Sequence, residues 1–169
     1  SPIVKDIYYQ YKWRTVLISG LGLGGNGYFA LDVTDPNNPS FLFAFSNDLV
    51  NSIVSYWDST GHKTDRGYAG EEDFDYAYSK LGMATSTPQI VLIPYEGKQK
   101  WVAVFGAGFN AGVNDTYGSS VYVIDLENQG KILKRIDIPD IPGNNIANSI
   151  PAPIVAITSD STSVANYKG

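Results

Sequence analysis

The sequence predicts an all-β chain built from repeated four-stranded antiparallel units, the blades of a partial propeller, with one long insertion. Composition is the first observation behind this. Twelve Tyr, seven Phe and three Trp stand beside 17 Gly and nine Pro, and aromatic residues favour pleated sheets while Gly and Pro punctuate short strands. The second is the recurrence of short apolar and β-branched runs between turn signals. The third is an internal repeat: "WRTVLISGLG" is answered by "WVAVFGAG", "GYFALDVTD" by "SVYVIDLEN", and "FLFAFS" by "ILKRID".

Taken in order, the first strand lies at 13–19 and the second at 27–33, where "TDPNNPS" stops it, and the third is "FLFAFS" at 41–46. Four more follow: "STPQIVLIP" at 86–94, "KWVAVFGAG" at 100–108, "SSVYVIDL" at 119–126 and "KILKRIDI" at 131–138. A last apolar run, "PAPIVAIT" at 151–158, matches "TPQIV" as the opening strand of a further blade. This gives the last three strands of one blade, a whole second blade and the first strand of a third. A blade cannot bury both faces alone and must stack on neighbours, so the expectation is a fragment of a larger propeller.

Between about 47 and 80 the periodicity breaks and the stretch reads as an insertion. Within it, "DLVNSIVSYW" suits a helix, because Leu49, Ile53 and Tyr56 or Trp57 fall near one face and Asp48 is placed to cap it. The insertion collects Tyr56, Trp57, Tyr68, Phe74, Tyr76 and Tyr78. Aromatic residues gathered in a loop serve either as binding anchors or as packing against the sheet, and they are the candidate partner-binding set. Tyr56 and Trp57 would be the platform if the chain were instead a carbohydrate-binding β module. Glu71, Glu72, Asp73 and Asp75 form an acidic run that reads as solvated loop, without the ligand ladder calcium requires.

Several function classes find little support. The formal net charge of −5, from 12 basic and 17 acidic residues, disfavours nucleic acid, whose binding rests on clustered Lys and Arg. No apolar run approaches the roughly 18 residues of a spanning helix, so no membrane span is expected. Cysteine is absent and His62 is the single histidine, leaving no basis for a nucleophilic triad, and no catalytic residue is assigned. "GLGGNG" can be set on the dinucleotide pattern G-x-G-x-x-G, but a strand follows where that site needs a helix. The glycines are therefore read as a connection between strands. Asp32 and Asp125 occupy equivalent places before turns and are read as acceptors of turn amides.

The stretches "WRTVLISGLGLGGNGYFALDVTDP", "LGMATSTPQIV", "KWVAVFGAGFN", "VYVIDLENQGKILKRID" and "SIPAPIV", in this order, resemble the C-terminal β-propeller of the type IV pilus tip adhesin and biogenesis proteins, the PilC and PilY family. The resemblance implies that 1–169 is a fragment of a seven-bladed, quinoprotein-like propeller with an insertion at about 47–80. It implies a non-enzymatic role at the cell surface or outer membrane, in pilus biogenesis, twitching motility and adhesion. The implied partners are minor pilins or the pilus tip complex and a host cell or abiotic surface. A quinoprotein-like dehydrogenase is the enzymatic alternative, but Phe43 or Phe45 and Lys134 stand where its docking repeats carry Trp. The family's calcium loop, carried over after the "PAP" strand, falls on Thr158, Asp160, Thr162, the carbonyl of Val164, and Asn166. One carboxylate among these side chains is a poor match for a cation that prefers many hard oxygens. No cofactor is expected, and calcium binding by this loop is expected to be weak or absent.

Overall fold

The computed structural model describes residues 1–69, 74–110, 117–138 and 149–157. Among the described residues, ten strands form two antiparallel meander sheets. The first holds β1 (Ile3–Tyr9), β2 (Lys12–Gly20), β3 (Gly27–Asp32), β4 (Ser40–Asp48), β5 (Ile53–Trp57) and β6 (Lys63–Gly67), in that spatial order. The second holds β7 (Gln89–Tyr95), β8 (Lys98–Gly106), β9 (Ser120–Asp125) and β10 (Lys131–Asp137), also with sequence neighbours paired. The two sheets do not close into a full propeller.

Tight turns build these meanders. Gln10 and Tyr11 (φ 52° and 63°) join β1 to β2, and Glu96 and Gly97 (φ 48° and 75°) join β7 to β8. Two consecutive residues with positive φ match the right-handed twist of the flanking strands. The first blade is thus complete, because β1 precedes the three strands legible in the sequence.

Two other expectations are corrected. The helix expected across "DLVNSIVSYW" is absent. Asp48 Oδ1 instead accepts the N–H groups of Val50 and Asn51, each at 3.0 Å, closing a turn, and the β-branched and aromatic run that follows pairs with β4 as β5. The insertion therefore adds a β5–β6 hairpin to the outer side of the first blade. The strand expected at 151–158 is also missing over its described part, 151–157. There Ala152 O accepts from Ser86 Oγ at 2.8 Å and Ala156 N donates to Gln89 Oε1. Side chains replace the ladder a strand requires.

An aromatic seam joins the sheets. Tyr28 on β3 lies 4.5 Å from Phe105 on β8, and Phe45 on β4 stacks on Tyr78 at 3.6 Å and lies 6.1 Å from Phe105, measured between ring centroids. Tyr78 meets Tyr122 on β9 at 5.3 Å. These rings are fully buried and, with Val16, Ile18, Ala30, Phe43, Ala103 and Ile124, form one continuous core. Offset and stacked ring pairs add to the burial of large apolar area.

Register shows how the two blades correspond. Val16 pairs with Asp32 as Val102 pairs with Asp125, which makes Gly20 equivalent to Gly106. Trp13 and Trp101, matched in the sequence repeat, are consequently not equivalent: Trp13 is 60% exposed while Trp101 is buried. Equivalent residues also face opposite neighbours. Val16, Ile18, Tyr28 and Ala30 turn toward the second sheet, whereas that sheet meets them with Ala103, Phe105, Tyr122 and Ile124, whose equivalents are Leu17, Ser19, Phe29 and Leu31. The sheets therefore stack front to back, as in a repeat whose every unit presents the same two faces.

Candidate interaction surface

The glycine-rich connection after β2 has a definite job in this stacking. A Cβ on Gly20 would lie 2.4 Å from Ala84 O and 2.8 Å from the Tyr28 ring, so only glycine lets the lead-in to β7 approach so closely. Two residues on, Gly22 takes φ +63° and its N–H donates to the same Ala84 carbonyl at 3.1 Å. The second blade repeats the device. A Cβ on Gly106 would lie 2.3 Å from Ile150 O, and Gly108, with φ +92°, donates to that carbonyl at 3.1 Å. Each G-x-G thus clasps the segment that leaves its blade. Residues 82–84 run between both clasps, with Ala84 N donating to Gly25 O, Gly82 N to Ala107 O and Met83 N to Phe109 O.

At this end of the sheets lies a groove of about 360 Å³, walled by Leu49, Val50, Met83 and Phe109 and by the amides Asn26 and Asn110. Val50 is 92% exposed and Phe109 42%. Leu21 and Leu23, on the 3-10 turn Gly22–Gly24 and the residue before it, are exposed as well. Beneath the groove, buried Asn47 is fully engaged. Its Nδ2 donates to Ser79 O and Leu81 O, both at 2.8 Å, its N–H donates to Asn26 O, and its Oδ1 accepts from the Tyr68 hydroxyl. This residue fixes the returning chain against β4. The groove has no local signal in the sequence, because its walls come from four separate connections.

Most of the aromatic set of the insertion packs down onto the core: Tyr56 and Tyr78 lie in it, and Tyr68, Phe74 and Tyr76 pack against it. Tyr56 is buried, stacks on Tyr76 at 3.6 Å and donates its hydroxyl to Gln129 O at 3.1 Å, bridging to the second sheet. Burial, and then the Tyr76 hydroxyl, push its phenol pKa well up. Tyr78 is fully buried, with its hydroxyl on Gly130 O and its pKa raised by burial. Phe74 meets Tyr76 edge-on at 5.5 Å and carries the Arg66 guanidinium 5.1 Å above its ring. Trp57 follows Tyr56 along β5 and so faces the other side of the sheet, where Lys63 lies 5.5 Å over its ring. Tyr56 and Trp57 therefore do not share one platform. Asp75 pairs with Lys131 at 2.9 Å, raising the lysine pKa, whereas Glu71, Glu72 and Asp73 lie outside the described residues.

The two repeated aspartates also have equivalent partners. Asp32 accepts from Thr34 N at 3.0 Å and from Arg14 Nη1 at 3.0 Å. Burial pushes its carboxyl up, but the Thr34 hydroxyl and amide together with Arg14 outweigh this and hold it below the usual carboxylate range. Asp125 accepts from Glu127 N at 2.9 Å and from Lys100 Nζ, and this bond raises the lysine pKa. Each carboxylate closes the turn after its strand.

Residues 1–169 match the sequence pattern of the PilY1 beta-propeller domain over their whole length. The chain belongs to this family. It is 30% identical over 167 residues to the type IV pilus biogenesis factor PilY1 of Pseudomonas aeruginosa strain PAO1, a match covering 99% of the chain and 11% of that relative. A PilY1 homolog of Xylella fastidiosa is 31% identical over 137 residues, covering 81% of the chain and 7% of the homolog. Among solved structures, the crystal structure of the P. aeruginosa PilY1 C-terminal domain superposes with a TM-score of 0.53 at 27% identity, covering 85% of this chain and 22% of that one. The chain thus spans about a tenth of the length of the PilY1 proteins it matches. The calcium-loop positions carried over from the family, Thr158, Asp160, Thr162, Val164 and Asn166, lie outside the described residues. The donor chemistry, with Asp160 the single carboxylate, fits calcium poorly. No helix among the described residues is long and apolar enough to cross a membrane.

Proposed function

We propose that this chain is a scaffold and protein-docking portion of a type IV pilus biogenesis factor, acting without catalysis at the cell surface or outer membrane in association with pili. The observation that carries the reading is the match of the whole chain to the PilY1 propeller family, whose relatives are named pilus biogenesis factors. The structure adds a physical basis. Both repeated aspartates are tied to a cation and a turn amide, which suits scaffold work, and the groove beside Val50 and Phe109 offers apolar surface at the end of the blades. The partners of this surface are minor pilins or the pilus tip complex, and through them the protein promotes pilus assembly and attachment to host cells or abiotic surfaces.

The test replaces Val50 and Phe109 together by Asp in the parent protein, then counts surface pili and measures twitching motility and attachment. Both side chains are exposed, so the fold should persist, which a melting curve of the isolated chain verifies. Piliation, motility and attachment should fall several-fold. Full retention of all three with normal protein levels would remove the groove from the proposal, and full retention after deletion of residues 1–169 would remove the proposal itself.

A further inference from the structure

Met83 is the single methionine of the chain, and the fold places it in a wall of the groove. The groove lies at the clasp end of the sheets and not on the faces through which blades stack. Register decides which part of Met83 is on view. Met83 and Phe109 form an antiparallel bridge in which each N–H donates to the other's carbonyl, both at 2.9 Å, and the side chains of such a pair stand on the same side. With its N–H and carbonyl taken, what half-buried Met83 offers the groove is a thioether beside the exposed Phe109 ring.

A second observation separates this side chain from the clasp. Ala84 sits on Gly20 and Gly22 as Ile150 sits on Gly106 and Gly108, which makes Met83 equivalent to Ser149. The second clasp forms with a short polar side chain at that place, so the first does not need the length or apolarity of methionine. The groove wall does, because there a flexible, polarizable side chain fills space against an aromatic ring. Leu49, Val50 and Phe109 also wall the groove, and methionine differs from them in one chemical respect: its sulfur is reversibly oxidised.

We propose that Met83 is a peroxide-sensitive modification site that switches docking in the groove off. The inference rests on the reading of the groove as a protein-docking surface. Hydrogen peroxide delivers one oxygen atom to the sulfur: a sulfur lone pair forms the S–O bond as the O–O bond breaks, the sulfur gives up two electrons, and the reduced peroxide leaves as water. The sulfoxide then stands beside Phe109 where an apolar partner side chain would seat, and burying it there without a hydrogen-bond partner is unfavourable. Methionine sulfoxide reductase restores the thioether, so the switch can be reset.

The test uses the parent protein. Dilute hydrogen peroxide is applied to it in purified form and the mass of the peptide carrying Met83 is measured: the peptide should gain one oxygen, and methionine sulfoxide reductase should remove it. Cells producing the parent protein as wild type, Met83→Leu or Met83→Gln then receive the same peroxide pulse before surface pili and attachment are counted. Wild type should fall several-fold, Met83→Leu should hold its untreated level, and Met83→Gln should be low with or without peroxide. If Met83→Leu is itself depleted at the cell surface, Met83→Ile takes its place with the same expectation. A Met83 peptide that stays unmodified would overturn the proposal, as would equal peroxide losses in wild type and Met83→Leu, or full piliation and attachment in Met83→Gln. Failure of the docking reading is distinct: the Val50 and Phe109 substitutions would then leave piliation, motility and attachment intact, which removes the switch while Met83 still gains its oxygen.

Discussion

The clasp at Gly20–Gly22 and the clasp at Gly106–Gly108 share their local geometry but not their load. Behind the first stands a complete four-stranded sheet whose aromatic rings fill the seam. Behind the second, among the described residues, stands the segment 149–157, with Val155 and Ile157 largely exposed. The G-x-G motif therefore fixes where a segment crosses its blade, while the stability it contributes depends on what that segment carries into the core.

Unequal consequences for equal substitutions would confirm this difference. Gly20→Val drives its side chain into Ala84 O and the Tyr28 ring, and it should destabilise the whole chain by about 3 kcal/mol in urea unfolding. Gly108→Ala combines a positive φ with a Cβ only 1.9 Å from Met83 O, in the strap between the clasps. A loss of about 2 kcal/mol is expected from crowding and backbone strain. At Gly22, which has open space around its Cβ position, the same change meets backbone strain alone and should cost about 1 kcal/mol. Gly106→Val should cost less than about 1 kcal/mol, because the described part of the segment it displaces, 149–157, enters no strand. Amide exchange at Ile150, whose N–H donates to Gly118 O, should then accelerate while exchange in β8 and β9 stays slow. Equal losses for Gly20→Val and Gly106→Val would erase the distinction.

Electrostatics gives the smallest contrast. The Asp32 carboxyl is held below its ordinary value by Thr34 and Arg14 against the opposing effect of burial. Its contribution is present above the unfolded carboxylate value of about 3.9, and it is lost as pH falls through the lower folded value. Melting temperature should therefore decline below about pH 4 more steeply in the wild type than in Asp32→Asn. Parallel acid limbs would show that Asp32 does not couple to folding.

Much of the fold was legible because it is written in local patterns. Runs such as "TVLIS" and "VYVID" are short and rich in β-branched and other apolar side chains, set between glycine and proline signals. β6, with the sequence KTDRG, carries no such pattern, and its strand state follows from pairing with β5, a non-local condition. β5 misled because Leu49, Ile53 and Tyr56 happen to match helical spacing, although Ile53–Trp57 is rich in the β-branched and aromatic residues that pack on a sheet. The glycines of "SGLGLGG" were recognisable as a connection, but their contact with Ala84 spans more than sixty positions and only the folded chain displays it. The same holds for Tyr56 and Tyr78, whose rings could be either anchor or packing until their burial was seen.

A double-mutant cycle on Tyr28 and Phe105, whose rings meet at 4.5 Å across the seam, bears on whether the two blades stack as one unit. Tyr28→Leu, Phe105→Leu and the double variant should show a coupling energy of about 0.5–1.5 kcal/mol in urea unfolding, within a single cooperative transition. Additive effects, or two separate transitions, would mean that the blades fold side by side without the stacked seam.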